Sequence, residues 1–225
     1  MASLFDLQYL KQLCKEYRLT PSKKYGQNFL IDEKPIEEMI RAAELSKDDT
    51  VIEIGPGFGV LTFVVAPLVK KVVAFEIERK LEPYWAKRLK DQKIGRSKDQ
   101  GEIEIIWGNA LKHVSRITYH VSRGYKVVAN LPYQITSKVL QMLLADVEQK
   151  PERIVVMVQK EVAERIVAAP PDMSVLAVSV QYYGEPRIVA YVPRESFWPI
   201  PDVDSAILAI SRVGRVSRVG KEEEQ

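Results

Sequence analysis

The run Asn130-Leu131-Pro132-Tyr133 has the residue types needed to hold a planar base that carries an amine. The side-chain carbonyl of Asn130 and the following backbone carbonyl can both accept hydrogen bonds from one exocyclic amine. Pro132 restricts the turn so that the two carbonyls converge, and the ring of Tyr133 offers a face on which a base can stack. The alternative interpretation is a buried turn in which Tyr133 fills the core.

A glycine-rich turn at 55–59 comes directly after one predicted strand and before a predicted helix. Gly55, Gly57 and Gly59 let the backbone approach a ligand and expose N–H groups at the helix N-terminus. The spacing is G-P-G-x-G rather than G-x-G-x-x-G, and Glu53 just before it disfavours a pyrophosphate. Glu53 favours a cationic ligand instead, such as a sulfonium with an α-ammonium group. A tight strand-to-helix connection without a ligand is the alternative.

A second carboxylate, Glu76, ends the next predicted strand. It follows Gly57 by about twenty residues, the distance at which an acidic residue in a βαβ unit holds both hydroxyls of a ribose. An exposed charge at a strand end would be the interpretation if Glu76 stood alone.

These three motifs belong to a regular alternation of strands and helices that starts near residue 50. We predict strands at 50–54, 71–75, 103–107, 126–129 and 153–158, and helices at 60–69, 79–90, 135–147 and 160–167. Strands separated by helices indicate βαβ units and a mostly parallel sheet. We also predict strands at 174–183, 187–192 and 204–210; the first two have no helix between them, which suggests an antiparallel edge.

The first fifty residues are predicted to be helical in two places. Apolar residues recur at helical spacing over 4–18, with Cys14 as a core contact. A second helix is predicted to begin with Asp32 as its N-cap and Pro35 in the first turn, and to run to about residue 45. We expect an N-terminal arm at 1–20, one catalytic domain at 21–211 and a flexible tail at 212–225.

Composition excludes several classes of protein. Hydrophobic residues make up 46% of the 225 residues and charged residues 28%, which is typical of a folded globular chain. No apolar run is long enough to span a membrane, and no signal peptide is evident. One cysteine and two histidines, His113 and His120, supply neither a disulfide framework nor a metal centre. We expect a cytoplasmic monomer with no metal, and His113 and His120 on the surface.

Charge by itself does not identify a partner. The net charge is +3 and the pI about 8.8. Residues 1–25 carry five basic and two acidic side chains, so this arm is +3 by itself. A basic arm can contact phosphates, although a solvated helix face would have the same composition.

Five sequence blocks together resemble the ribosomal small-subunit RNA adenine dimethyltransferases, whose relatives are the Erm resistance methyltransferases. The blocks are KYGQNFL at 24–30, EIGPGFG at 53–59, NLPY at 130–133, QKEVAER at 159–165 and FWPIPDVDSA at 197–206. They occur in the family's order and cover about 20–211. The resemblance implies a Rossmann-like, seven-stranded fold that binds S-adenosyl-L-methionine (SAM). It also implies transfer of two methyl groups to N6 of adenosines in small-subunit ribosomal RNA.

The resemblance also implies roles for individual residues. Asn28, Leu30 and the Gly55 backbone would contact the methionine end of SAM. Glu76 would hold the ribose, and Ile77 would pack on the cofactor adenine. The cofactor set as a whole comprises Asn28, Leu30, Glu53, Gly55, Gly57, Gly59, Glu76, Ile77, Asn109, Ala110 and Asn130.

The target base would be held by the other side of the site. Asn130 and the Leu131 carbonyl would accept hydrogen bonds from its amine, with Pro132 fixing the turn. Tyr133 would stack on one face of the base, and Phe197 would close the other. No strong base is required, because the amine can lose its proton after methyl transfer.

The sequence departs from the family pattern at three places. Position 109 commonly carries an aspartate that accepts from the cofactor adenine amine; here it is Asn109, whose carbonyl can still accept, so we expect weaker binding rather than none. Ala168–Ser174, written as AAPPDMS, replaces a Tyr-Gly-Arg stretch. We also expect the chain to lack the family's C-terminal helical domain, so that RNA affinity depends on the basic arm and on other surface cations.

Two alternatives to an rRNA dimethyltransferase stay open. One is an adenine methyltransferase that acts on another RNA or on DNA; DNA enzymes use a related Asn/Asp-Pro-Pro-Tyr turn but do not explain the blocks at 24–30 and 197–206. The other is a ribosome-assembly factor that binds pre-ribosomal RNA with little or no methyl transfer. The expected lack of the helical segment and Asn109 favour this second alternative, whereas the intact NLPY turn, the glycine turn and Glu76 oppose it.

Overall fold

Seven strands form the main sheet in the computed structural model, which describes residues 3–21, 27–94, 101–112 and 124–214. The strands are β2 (Thr50–Ile54), β3 (Lys71–Glu76), β4 (Glu102–Trp107), β5 (Lys126–Asn130), β6 (Arg153–Gln159), β7 (Glu185–Val192) and β9 (Ser205–Ser211). Their order in the sheet is β4-β3-β2-β5-β6-β9-β7.

The sheet is parallel from β4 through β6 and antiparallel at the edge that β9 and β7 form. This confirms the predicted mostly parallel sheet with an antiparallel edge. The chain order places β2 beside both β3 and β5, so the direction of winding reverses at β2. The carboxyl ends of β2 and β5 therefore flank a crevice, where open α/β sheets bind their ligands.

Helices cover both faces of this sheet. They are α1 (Leu7–Glu16), α2 (Lys34–Ala43), α3 (Val60–Val65), α4 (Glu82–Ile94), α5 (Thr136–Gln141), α6 (Lys160–Val167) and α7 (Val175–Tyr183). Along each central strand successive residues point to opposite faces. Ile52 and Val127 therefore join a core cluster with α5, α6 and α7, whereas Val51 and Val128 join one with α2 and α3.

The N-terminal helix α1 packs on the domain through a third core cluster. Leu10, Leu13 and Cys14 are buried against Tyr84 and Trp85 of α4. The prediction that Cys14 is a core contact is confirmed. The Asp6 carboxylate accepts hydrogen bonds from two backbone N–H groups of the first turn, which fixes where the helix begins.

A short antiparallel ribbon connects the N-terminal segment to the segment before β9. It consists of β1 (Phe29–Leu30) and β8 (Phe197–Trp198), with Leu30 opposite Phe197. The Ser196 hydroxyl donates to Oδ2 of Asp32 at 3.0 Å, and the Ile31 N–H donates to the Ser196 carbonyl at 2.9 Å. These bonds join two segments that carry separate sequence motifs.

The predicted strand at 174–183 is wrong, because these residues form helix α7. Three β-branched residues and two tyrosines favoured a strand. The Ser174 side chain caps the helix by accepting from the Ala177 N–H at 3.2 Å. The Gln181 amide donates to the carbonyls of Ile166 and Ala168 at the end of α6. Capping and packing on α6 therefore outweigh strand propensity.

The predicted N-cap of the second helix is displaced by one residue. The N-cap is Glu33, and α2 begins at Lys34 with Pro35 in its first turn. Oδ1 of Asp32 still accepts a hydrogen bond from the Lys34 N–H at 3.1 Å. Asp32 therefore stabilises the start of the helix from just outside it.

The ends of the described segments bear on two further expectations. After β9 the chain turns, and the Gly214 N–H donates to the Tyr183 carbonyl at 2.9 Å. Most of the expected tail, 215–225, lies outside the described residues, as do His113, His120 and the KYG of the first sequence block. Within the described part of the chain, no helix is long and apolar enough to cross a membrane.

Candidate functional site

The glycine turn after β2 forms one wall of a cleft at the carboxyl ends of the parallel strands. Gly57 lies in this wall with φ +57°, and a Cβ there would come within 3.3 Å of the Phe29 ring. Side chains of α4 hold the turn: the Tyr84 hydroxyl donates to the Phe58 carbonyl at 2.7 Å, and the Trp85 indole N–H to the Gly57 carbonyl at 3.0 Å. The turn is therefore fixed before any ligand binds.

Gly59 is needed for packing at the start of α3 and is not part of the cleft lining. It precedes the first residue of α3 with φ +84°, and a Cβ there would lie 2.7 Å from the rings of Phe63 and Trp85. It does not line the cavity that contains Gly55, Gly57 and Glu76.

Glu76 closes the cleft from the end of β3. Its Oε2 accepts from the Gly57 N–H at 2.9 Å and its Oε1 from the Glu78 N–H at 2.8 Å. Burial raises the pKa of this carboxyl, although the backbone donors oppose the increase. Its oxygens have further lone pairs, so ligand hydroxyl groups can donate to an already oriented carboxylate.

Glu53 lies on β2 and is 3% exposed. Burial raises the pKa of its carboxyl to about 8; the hydroxyl of Thr62 opposes this and the nearby Glu76 adds to it. The Thr62 hydroxyl donates to Oε2 of Glu53 at 2.6 Å. Thr62 is not among the predicted site residues, because its contact depends on how α3 is rotated against β2.

The NLPY turn faces the glycine turn from the end of β5. Asn130 ends the strand, and the Leu131 N–H donates to the Met157 carbonyl of β6 at 3.1 Å. The Pro132 carbonyl accepts from the Ile135 N–H, which tightens the turn into α5. The Tyr133 hydroxyl shares a hydrogen bond of 2.9 Å with the Ser205 hydroxyl of β9.

The β1–β8 ribbon completes the cleft. Phe197 is 2% exposed and lies opposite Leu30, and both residues line the same cavity as Asn28. The Phe29 and Trp198 rings stack with centroids 6.4 Å apart, so the ribbon also has an aromatic face. The cleft thus draws together residues from the first, second, third and fifth sequence blocks.

Most of the residues predicted for the site line one cavity. They are Asn28, Leu30, Glu53, Gly55, Gly57, Glu76, Ile77, Asn130, Leu131, Pro132, Tyr133 and Phe197. Asn109 and Ala110 line an adjacent cavity that shares Gly55, Ile77 and Pro132 with the first. Oδ1 of Asn109 accepts from the Leu111 N–H at 3.0 Å, so this side chain has a fixed orientation.

Other lining residues were not predicted, although they adjoin the motifs. They are Leu19, Gln27, Phe29, Pro56, Val60, Leu61 and Leu81 in the first cavity, and Gly108, Gln134 and Ile135 among those in the second. Proximity to the glycine turn could have identified Pro56, Val60 and Leu61. Leu19 and Leu81 carried no comparable signal.

The charge of the cleft restricts its ligand. Glu53 and Glu76 line it, whereas none of the described residues that line the two cavities is a lysine, arginine or histidine. Two buried carboxyls without a lining cation favour a ligand that brings positive charge. Among the described residues no group of three or more His, Cys, Asp or Glu side chains could hold a metal ion.

Comparison with known proteins identifies the family. The family model described as "Ribosomal RNA adenine dimethylase" matches residues 19–218. This chain belongs to the ribosomal RNA adenine dimethylase family. The family resemblance inferred from the five sequence blocks is therefore confirmed.

Two curated relatives that resemble this chain carry the same name. The protein named "Ribosomal RNA small subunit methyltransferase A" of a Dehalococcoides mccartyi strain is 41% identical over 200 residues, which cover 89% of this chain and 66% of that relative. The protein of the same name from Lachnoclostridium phytofermentans is 41% identical over 216 residues, 94% of this chain and 72% of the relative. This member of the ribosomal RNA adenine dimethylase family thus spans about two thirds of the length of these relatives.

Solved structures of methyltransferases share the fold. The 23S rRNA methyltransferase ErmE aligns with a TM-score of 0.71 and 28% identity over 86% of this chain and 73% of that one. A dimethyladenosine transferase from Plasmodium falciparum aligns with a TM-score of 0.68 and 30% identity, covering 81% and 62%. The expected Rossmann-like, seven-stranded methyltransferase fold is confirmed for this member of the ribosomal RNA adenine dimethylase family.

Proposed function

We propose that this protein is a SAM-dependent enzyme that transfers two methyl groups to N6 of adenosines in small-subunit ribosomal RNA. The observation that carries the proposal is the shared cleft, in which the NLPY turn faces the glycine turn and Glu76. Membership in the family and two relatives named for methylation of small-subunit ribosomal RNA support the same reaction.

The cleft suits SAM in its charge. Glu53 and Glu76 lie in a lining that is otherwise uncharged, so a ligand with a sulfonium and an α-ammonium group gains from both. When bound, the cofactor supplies a methyl group on a positively charged sulfur. In this proposal Glu76 accepts hydrogen bonds from the ribose hydroxyls, because its carboxylate is already oriented by backbone N–H groups.

The two ends of the cofactor have separate sets of candidate contacts. Asn28, Leu30 and the backbone of Gly55 are proposed for the methionine end, since they line the cavity beside Glu53. Ile77, Asn109 and Ala110 are proposed for the adenine, since they line the adjacent cavity. Gly55 lines both cavities, so the two cavities adjoin. One extended ligand can therefore place one end in each cavity.

The target adenine is proposed to lie between Tyr133 and Phe197. The amine nitrogen of adenine is a weak nucleophile because its lone pair is delocalised into the ring. The Asn130 side-chain carbonyl and the Leu131 carbonyl accept hydrogen bonds from the amine and favour its pyramidal, electron-rich form. Pro132 holds these two acceptors in position, so positioning and preorganised dipoles lower the barrier.

The chain offers no lysine or histidine along the described lining to act as a general base. The mechanism needs none, since the methylated amine carries the extra proton and releases it to water after transfer. The second methyl transfer repeats the first after product and donor have exchanged. Small-subunit ribosomal RNA or a precursor of the small subunit is the proposed partner, and the cytoplasm is the compartment expected for it.

Methyl transfer from radiolabelled SAM to under-methylated small ribosomal subunits tests this function. Native protein should incorporate label at N6 of adenosine, and Asn130→Ala should abolish incorporation. Ser137→Ala, an exposed position on α5, is the matched control and should retain full activity. No incorporation with SAM binding intact would replace the proposal with an RNA-binding factor or another substrate, and no SAM binding would remove the cofactor assignment.

A further inference from the structure

The fourth sequence block, QKEVAER at 159–165, contributes no residue to the two cavities of the cleft. Its first residue, Gln159, lines a further cavity beside them. This side groove has a volume of about 330 Å³ and is lined mainly by Gln27, Gln134, Gln159 and the segment 199–203. The volume is within the range of small-ligand pockets, so the side groove is large enough for a planar base.

The side groove adjoins the part of the cleft proposed for the target base. Asn28 and Tyr133 line both of them. Gln159 ends β6 and pairs in register with Ser205 of β9, whose hydroxyl shares a hydrogen bond with that of Tyr133. Neither carboxyl of the cofactor cavity lines the side groove. A ligand in it therefore lies next to a base that stacks on Tyr133 rather than next to the cofactor.

The Gln159 amide is available to a ligand. Its side chain is half-buried. Gln159 precedes the first residue of α6, yet its side chain makes no capping hydrogen bond, and its amide has no hydrogen-bond partner among the described residues. An amide has both a donor and an acceptor to offer. A ligand with a hydrogen-bonding edge would therefore satisfy a group that the fold leaves unpaired.

The segment 199–203 gives the side groove an exposed apolar wall. Ile200 is 56% exposed and Val203 is 44% exposed, and both line the groove. None of its described lining residues is a lysine, arginine or histidine, and Asp202 adds a negative charge. The lining therefore disfavours a phosphate and favours a flat, uncharged group such as a nucleic-acid base.

We propose that the side groove holds the base of the nucleotide next to the target adenosine, with Gln159 hydrogen-bonded to its edge and Ile200 packed against its face. The inference rests on the proposed function, because it takes an adenosine in RNA as the target. The target base must leave its stack to enter the cleft, and its neighbour then loses a stacking partner. Ile200 replaces that lost contact, so the side groove lowers the cost of presenting the target.

The side groove should respond to the presence of a neighbouring base more than to its identity. An amide can pair with the edge of any of the four bases, because each edge presents donors or acceptors. Packing on an apolar side chain is equally tolerant, since every base has a flat face. Removal of the neighbouring base is therefore a sharper test than its replacement by another base.

Small ribosomal subunits assembled on synthetic RNA provide the test. The adenosine that native protein labels is first located on intact RNA. Two further RNAs carry an abasic nucleotide just before or just after that adenosine. With one of these two RNAs, kcat/KM for methyl transfer from radiolabelled SAM to that adenosine should fall about tenfold, because one hydrogen bond and one packing contact are lost.

Gln159→Leu removes the amide and keeps most of the side-chain volume. On intact RNA its kcat/KM should fall about fivefold, mainly through KM, and its Kd for SAM should stay within about twofold of native. On the abasic RNA that impairs native protein, the variant and native protein should have equal kcat/KM, because the base that the amide contacts is gone. Gln141→Leu, the same substitution at an exposed position of α5, is the matched control and should equal native protein on every RNA.

Each outcome decides the inference. Equal kcat/KM on intact RNA and on both abasic RNAs overturns it. A loss in Gln159→Leu that is as large on both abasic RNAs as on intact RNA also overturns it, because the side groove then contacts the target base itself or a distant part of the RNA. Label on intact RNA in either case leaves the proposed function intact, whereas no label from native protein on intact RNA overturns that function. If Gln159→Leu loses SAM affinity, Ile200→Ala at an exposed position decides by the same comparison.

Discussion

The hydroxyl groups of Tyr133 and Ser205 share a hydrogen bond of 2.9 Å across the carboxyl end of the sheet. Tyr133 follows β5, and Ser205 begins β9, 72 residues later. Ser205 is fully buried, and burial also raises the pKa of the Tyr133 phenol, so this hydroxyl keeps its proton at neutral pH. The bond fixes the orientation of the ring that lines the cleft.

Removing this bond should weaken catalysis more than cofactor binding. Ser205→Ala and Tyr133→Phe each lose one hydrogen bond, worth about 1 kcal/mol, so kcat/KM for the RNA should fall about fivefold. The affinity for SAM should stay within about twofold of native, because the bond orients the ring proposed for the target base and not a proposed cofactor contact. Methyl-transfer kinetics and calorimetry measure the two quantities. Native kinetics in both variants would show that packing alone positions the ring.

Glu76 should be the largest single contributor to cofactor affinity. Glu76→Gln keeps an acceptor for the Gly57 N–H but removes the charge. A charge-assisted hydrogen bond contributes about 1.5–3 kcal/mol, so the Kd for SAM should rise roughly 10- to 100-fold. Calorimetric titration with SAM checks this, with the exposed Glu37→Gln as the matched control. An unchanged Kd would exclude the ribose role proposed for Glu76.

The two glycines of the turn should separate stability from binding. Gly59→Ala places a Cβ 2.7 Å from Phe63 and Trp85 at φ +84°, so the free energy of unfolding should fall by about 2–4 kcal/mol. Gly57→Ala meets Phe29 at 3.3 Å and faces the cleft, so it should mainly weaken SAM binding. Denaturant unfolding and calorimetry compare the variants. A greater loss of stability in Gly57→Ala would reverse the assignment.

The secondary-structure elements that the sequence predicts correctly are those with a local sequence pattern. Residues 50–54 are mostly β-branched and lie between the end of one predicted helix and the glycine-rich turn that precedes the next. The structure has a strand at the predicted bounds. Helix α7 was missed, because its apolar run suits a strand equally well and the deciding contacts come from α6. Each strand of the β1–β8 ribbon has two residues, and the two strands come from distant segments of the chain. No local sequence pattern therefore predicts the ribbon.

The residues of the site also differ in whether a local sequence motif identifies them. Gly57, Glu76 and Asn130 belong to motifs whose spacing predicts a shared cleft, and the structure brings them to one cavity. Thr62 and Ser205 were missed because their roles are contacts across elements, with Glu53 and Tyr133 respectively. Motif spacing can identify residues that face a ligand, but not the partners that hold them.

The cap of α7 gives a direct test of why that segment is helical. Ser174→Ala removes the side chain that accepts from the Ala177 N–H, which should cost about 1 kcal/mol of stability. Ser179→Ala, inside the same helix, is the matched control and should leave stability unchanged or slightly higher. Chemical denaturation measures both. Equal effects of the two substitutions would mean that packing on α6 alone selects the helix.

The buried Glu53 should make stability depend on pH in an unusual direction for a carboxyl. Its pKa is raised from 4.5 to about 8, so between these values the folded chain binds a proton that the unfolded chain has released. Its contribution to stability is therefore complete below pH 4.5 and is lost as the pH rises toward 8. The raised pKa of Glu76 acts in the same direction.

Glu53→Gln removes this titration while leaving an acceptor for the Thr62 hydroxyl. Urea unfolding at pH 5, 6, 7 and 8 should show native stability falling by up to about 1.4 kcal/mol per pH unit relative to the variant. Glu37→Gln should follow the native profile, because that side chain is exposed. Parallel profiles for native protein and Glu53→Gln would show that Glu53 is ionised in the folded state at pH 5.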